Sequence, residues 1–246
     1  MNTLRSGELL EAWEQGLGRP PLQRALVILA AACPEMDSER LLSLSIGRRD
    51  SMLLRLREYL FGQKLQNAAS CPECHQRVEW EGVTTGLLID HADDGAEIED
   101  LELSFDDYRV TFGVPNSRDL SVALAVEDKD KAERALLSRC VRKAERADSP
   151  CDVESLPDSV VASLNEAIAA ADPQADLRIA LACPDCAHAW EIRFDIASYL
   201  WTEVNDWAVR MLGVVARLAA AFGWSERDIL ELSPMRRQAY LGMLDR

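Results

Sequence analysis

Two four-residue runs, Cys71-Pro-Glu-Cys74 and Cys183-Pro-Asp-Cys186, repeat one pattern of two thiols around a proline, with 108 residues between them. A tight turn over such a run presents both sulfurs to one side, so two runs supply four thiolates. Four thiolates at ~2.3 Å satisfy tetrahedral zinc completely and leave no open position for catalysis. Two disulfides would need an oxidising compartment. A redox Cys-x-x-Cys is expected once, at a helix N-terminus, rather than twice beside strands. The pattern therefore predicts one structural Zn2+ per chain, held by Cys71, Cys74, Cys183 and Cys186, with bare thiols as the remaining reading. His75 and His188 flank the knuckles, but four cysteines leave them no vacancy. The position after each second cysteine favours a positive φ and hence glycine. Here it is His75 in one copy and Ala187 in the other, so some local strain is expected. Cys33, Cys140 and Cys151 have no partner by spacing and read as small buried residues.

The elements around the knuckles alternate in a way that suits a zinc ribbon. RVEWEGV after the first knuckle puts Val78 and Trp80 against charges. Leu177, Ile179 and Leu181 alternate before the second knuckle, and Trp190, Ile192 and Phe194 after it. The preceding 65 residues read as helices: one capped by Ser6, one over 21–33 ended by Pro34, a short one from Ser38, and one with Met52, Leu53, Leu56 and Leu60 on a face, stopped by Gly62. Between the knuckles, Leu101–Phe105 and Tyr108–Phe112 form a hairpin about Asp106-Asp107. Helical runs follow over about 117–126 and 128–146, and Ser155-Leu-Pro-Asp158 opens another helix as a capping box. From 197 the three-four spacing of Leu200, Val204, Trp207, Met211, Val215, Leu218 and Phe222 marks an amphipathic helix. Ser225 and Ser233-Pro234 begin two more.

These readings predict an α+β protein, mostly helical, with a small zinc ribbon built from two distant knuckles and an inserted hairpin-and-helix lobe. Its parts are 1–65 (helical), 66–82 (first half of the ribbon), 83–176 (insertion), 177–196 (second half) and 197–246 (helical). The metal would fasten the first helical part beside the last, and excising the acidic 92–100 should be tolerated.

The 246 residues carry 42 acidic against 27 basic side chains, a net charge of −15. That field repels a phosphate backbone unless one face is strongly basic, which argues against nucleic acid as partner. Eight acids and no Lys or Arg fall between His91 and Asp107, read as a solvated flap. No apolar run has the length of a membrane span, and no signal-peptide pattern opens the chain, so a cytoplasmic protein without a membrane partner is expected.

No P-loop, GxGxxG, GxSxG or HExxH occurs, and three scattered histidines suggest no triad, so no enzyme is expected. Positive charge concentrates at Arg48, Arg49, Arg55 and Arg57 and at Arg236-Arg237, read first as helix-surface ion pairs. SERDILELSPMRRQAYL has the outline of a helix-turn-helix, but the net charge favours a hairpin packed on the body. Arg48, Arg49, Trp201, Trp207 and Trp224 are the candidate partner-binding residues, with the core the commoner place for such tryptophans.

IGRRDSMLLRLREYLFG with its following CPEC, LPDSVVASLNEAIAAADPQADLRIALACPDCAHAW, and FGWSERDILELSPMRRQAYL together resemble the T-even-phage-type baseplate hub assembly chaperones of contractile phage tails and related injection systems. The resemblance covers most of the chain, with 83–150 contributing little. It implies a non-enzymatic role in assembling the baseplate hub, with hub or spike proteins as partners, and it transfers only the four knuckle cysteines as site residues. A permanent baseplate subunit and a nucleic-acid-binding zinc ribbon are the alternatives. Neither the resemblance nor the residues specify an oligomeric state.

Overall fold

A computed structural model describes residues 2–89 and 100–245. The segment 92–100 expected to be dispensable, and His91, therefore lie outside the described residues except for Asp100. In chain order the elements are α1 (Ser6–Gly16), α2 (Pro21–Ala32), α3 (Ser38–Ser43), α4 (Ile46–Phe61), β1 (Lys64–Ser70), β2 (Arg77–Val83), α5 (Thr84–Leu87), β3 (Leu101–Phe105) and β4 (Tyr108–Phe112). There follow α6 (Ser117–Ala123), α7 (Lys129–Cys140), β5 (Val141–Arg146), β6 (Ser149–Pro150), α8 (Asp158–Ala171), β7 (Arg178–Ala182), β8 (Ala189–Arg193), α9 (Ile196–Phe222), α10 (Glu226–Glu231) and α11 (Pro234–Leu244). The architecture is α+β, and all strand pairing is antiparallel: β1 with β2, β3-β4-β5-β6 in order, and β7 with β8.

Internal contacts divide the chain into Met1–Asp37 with Ile196–Arg246, and Ser38–Asp195. The helices α3 and α4, which the sequence places with the N-terminal part, thus group with the knuckles.

In the first unit α1 and α2 pack on the long helix α9, and α10 and α11 fold back on its far end. Gly16 makes the α1–α9 approach possible, because a Cβ there would sit 2.4 Å from the Trp201 ring. Arg24 covers that ring at 4.8 Å, and Trp13 Nε1 donates to Asn205 Oδ1 at 3.1 Å. Val215, Leu218, Ile229 and Leu241 form the core of the helical hairpin at the end of α9. Ser6 does not cap α1 as expected. It is the first helical residue, and its hydroxyl accepts from Arg237, whose buried guanidinium also donates to the Leu230 carbonyl.

In the second unit the N-terminus of α4 shows why the pieces meet where they do. Each of its first amide donors has a partner: Ile46 N donates to Pro115 O, Gly47 N to Asp172 Oδ2, Arg48 N to Ser45 Oγ and Arg49 N to Ser45 O. Two of those acceptors lie some 70 and 125 residues away in sequence. Orphan helix amides must be satisfied, so this end of α4 pins residues 115 and 172 together. Gly47 is required for it, since a Cβ would fall 1.9 Å from Asp172 Oδ1. Burial pushes the neighbouring Asp50 carboxyl up to about 6, against the opposing pull of the adjacent Arg49 guanidinium.

The hairpin lobe is built on Val110, Phe112, Leu137, Ala144, Leu156, Val160 and Leu164, with β3–β6 against α8. Two expectations need correction here. Residues 141–146 are not the end of a helix: α7 stops at Cys140, and 141–146 pair with β4 as a third strand. The turn closing β5 onto β6 uses Ala147 and Asp148 at φ 46° and 61°, a left-handed pair with no glycine to announce it. Nor does Ser155 cap α8. Its hydroxyl donates to Asp152 O within a 3-10 turn, and Pro157 occupies the cap position.

Gly47→Ala should therefore destabilise the protein by about 2–4 kcal/mol, because Asp172 must leave the α4 amide. Gly213→Ala, which meets nothing within 4 Å in the interior of α9, should instead raise stability by about 0.5–1 kcal/mol. Urea unfolding of both variants checks the opposite signs.

Candidate metal centre

The two hairpins β1–β2 and β7–β8 each hold a knuckle at their tip, and the tips present the same local geometry. Cys71 N donates to Gln76 O at 2.9 Å, and Cys183 N to His188 O at 2.9 Å. His75 N donates to Cys71 O at 3.0 Å, and Ala187 N to Cys183 O at 3.0 Å. His75 and Ala187 both sit at φ 60°, the left-handed conformation expected at these positions. The proline in each run sits between the cysteines, in the turn that aims both sulfurs to one side. The acceptors at Gln76 and His188 could not be singled out from sequence, because they act through backbone carbonyls rather than side chains.

The tips bring Cys71, Cys74, Cys183 and Cys186 together with all four sulfurs within 4.8 Å of one another. The shortest approaches cross between hairpins: Cys71 to Cys186 at 3.6 Å and Cys74 to Cys183 at 3.5 Å. None of the four is joined in a disulfide. A tetrahedral ion with bonds of ~2.3 Å to sulfur spaces its ligands about 3.8 Å apart, so the donor set suits one such ion. Cys71 and Cys183 are buried with Val78 and covered by Trp190, whereas Cys74 and Cys186 are exposed. Below the cluster, Trp80 meets Phe194 edge-on at 5.9 Å, joining the two hairpins through their apolar faces. His188 stacks on Trp190 with its ring 6.1 Å away, and neither it nor His75 is among the clustered ligands.

The surroundings shift two of these thiols in opposite directions. The Cys186 backbone N–H, with that of Asp185, outweighs burial and holds the Cys183 thiol down to about 7. The His188 backbone N–H favours the Cys186 thiolate, but burial and the thiols of Cys74, Cys71 and Cys183 push it up to about 12. Thiolates repel each other at this range unless a positive ion sits between them.

The candidate partner-binding residues are divided between the two units, with Arg48 and Arg49 in one and Trp201, Trp207 and Trp224 in the other. Arg49 is buried in its unit, donating to Asp50 Oδ1 at 2.7 Å and to Ser117 Oγ at 3.4 Å. Trp201 is buried against Gly16. Arg48 and Trp207 are half-buried, and half-buried Trp224 stacks on Phe222 at 4.7 Å with Tyr240 edge-on to it at 4.7 Å. Cys33 and Cys140 are buried, and Cys151 is half-buried against the hairpin-lobe core.

Elemental analysis of the purified chain should find one bound metal ion, and Cys183→Ser should lose it and melt lower. Replacing Cys33, Cys140 or Cys151 should leave metal content unchanged. Ala187→Gly should raise stability by up to about 1 kcal/mol in denaturant titrations, since glycine removes the left-handed strain.

Among the described residues, no helix is long and apolar enough to cross a membrane. No curated protein and no solved structure matches the chain. A family model described as T4 bacteriophage base plate protein matches residues 18–201 of the 246, which takes in α2 through the first turns of α9 and both cysteine-bearing hairpins. The chain therefore belongs to the T4 bacteriophage base plate protein family.

Proposed function

We propose that this protein is a non-enzymatic assembly factor for the baseplate hub of a contractile phage tail or contractile injection system, folded around one structural zinc ion. The observation that carries the role is family membership over residues 18–201. The zinc reading rests on the all-sulfur donor set and its spacing. Zinc accepts four thiolates without redox change and loses its open coordination position in doing so. In that setting the metal's task is mechanical: Cys71 and Cys74 hold one hairpin tip, and Cys183 and Cys186 hold the other. The partners in this reading are hub or spike proteins, met in the host cytoplasm while particles are being built.

An assembly factor must let go of its client, so its interface should be modest in area and rimmed with charge. Deleting the gene should leave tube and sheath proteins in normal amount but abolish particles with a functional baseplate. Normal particle yield and injection in the deletion strain would overturn the role. Recovery of the protein at fixed stoichiometry in purified mature particles would replace it with that of a permanent baseplate subunit.

A further inference from the structure

The four clustered cysteines are not equivalent. Cys71 and Cys183, the first of each knuckle, are buried at 0% and 3% exposure. Cys74 and Cys186, the second of each, are exposed. Backbone amides hold the outer sulfurs in place: that of Gln76 donates to Cys74 Sγ and that of His188 to Cys186 Sγ. Oxidation of a cysteine follows its accessibility, so an oxidant arriving from solvent meets Cys74 and Cys186 first. Cys33 and Cys140 are buried, and neither they nor Cys151 belong to the cluster.

The partner that each outer sulfur meets is set by the cross-hairpin geometry. Cys74 Sγ lies 3.5 Å from Cys183 Sγ, and Cys186 Sγ lies 3.6 Å from Cys71 Sγ. Each close approach thus joins an exposed sulfur of one hairpin to a buried sulfur of the other. An exposed thiol with a second thiol poised beside it is the arrangement of a redox-sensitive pair. Here the arrangement occurs twice.

We propose that Cys74 and Cys186 are hydroperoxide-sensitive sites whose oxidation replaces the metal with two disulfides between the hairpins, Cys74–Cys183 and Cys71–Cys186. The outer thiolate attacks the hydroperoxide. An S–O bond forms, the O–O bond breaks, and the departing alkoxide or hydroxide takes a proton from solvent. The inner thiolate of the other hairpin then attacks the resulting sulfenic acid. An S–S bond forms, the S–O bond breaks, and hydroxide leaves as water after protonation. Two thiolates lose two electrons, and one hydroperoxide gains them. Each disulfide withdraws two thiolates from the donor set, and the thiolate is the form that binds metal. The tips nevertheless stay joined, now covalently. Disulfides within the knuckles, Cys71–Cys74 and Cys183–Cys186, would instead release one tip from the other. The inference rests on the zinc reading for the ion that is displaced, while the pairing of the sulfurs stands on their geometry alone.

The test titrates the full-length protein, its metal content measured beforehand, with hydrogen peroxide while a chromogenic chelator reads released zinc. About two equivalents of peroxide should release all of it. After denaturation and alkylation of the remaining thiols, trypsin leaves Cys71 and Cys74 on the peptide 65–77, and Cys183 and Cys186 on 179–193. Mass spectrometry should find these two peptides joined, with Cys74 linked to Cys183, Cys71 to Cys186, and Cys33, Cys140 and Cys151 alkylated. The oxidised, zinc-free protein should melt above reduced protein stripped by chelator. Separate peptides with internal disulfides overturn the inference, as does any other pairing, or sulfinic acid in place of the links. Four alkylated knuckle cysteines after about a tenfold peroxide excess overturn it too, and equal melting defeats the retained clasp. If the untreated protein holds no metal, the zinc reading fails, and the joined or separate peptides still decide the pairing.

Discussion

Four cysteine sulfurs within 4.8 Å of one another bring two hairpin tips together from distant parts of the chain. Bringing Cys74 to Cys183 closes a stretch of 108 residues, and closing a loop of ~100 residues costs on the order of 4–5 kcal/mol of chain entropy. Bare thiols cannot supply this. Neutral thiols make only weak hydrogen bonds to one another. An ion held by four thiolates in the proposed zinc arrangement supplies ~10–16 kcal/mol in apparent terms, comparable to the stability of a whole domain. The apolar reinforcement around it is slight: Val78, Trp190 and the Trp80–Phe194 contact. In the proposed zinc arrangement, metal binding and folding of this unit would be one event.

The long closure is made workable by a second tether inside it. The amides at the start of α4 donate hydrogen bonds to Pro115 and Asp172, so two points of the inserted segment, one near its middle and one near its end, are anchored on one helix terminus. The chain between the knuckles is thereby divided into shorter closures, each with its own packing. The lobe between them carries a separate apolar core around Phe112 and Leu164. Clasp and helix terminus act on different residues, which is why Gly47 matters although it is far from any sulfur in sequence.

Charge and apolar surface are allotted differently to the two units. Most of the net negative charge belongs to Ser38–Asp195, while the helical unit is nearly neutral and exposes Met235 and Met243. A near-neutral surface lowers the electrostatic barrier to partners, and the acidic remainder keeps the protein dispersed in solution. In the proposed assembly role, both properties would serve a protein that works by contact with other baseplate components.

The knuckle pattern, the alternation of 77–83 and 178–194, and the three-four spacing of α9 were all legible in the sequence. In each case the deciding interactions are local or periodic: a tight turn, a half-buried strand, a helix with one apolar face. The left-handed φ at His75 and Ala187 was legible for the same reason, since knuckle geometry demands it whichever residue is present. Where partners came from far along the chain, local reading misassigned them. Val141–Arg146 has a composition compatible with helix and became a strand because β4 offered an edge. Ser6 was claimed by Arg237 from the far end of the chain. Arg49 and Trp201 are interior residues because Asp50 and Ser117 satisfy the one and Gly16 admits the other. Residue types and spacing determined which groups could bind a metal. Only the tertiary structure decided which side chains had surface left over, because burial depends on distant neighbours.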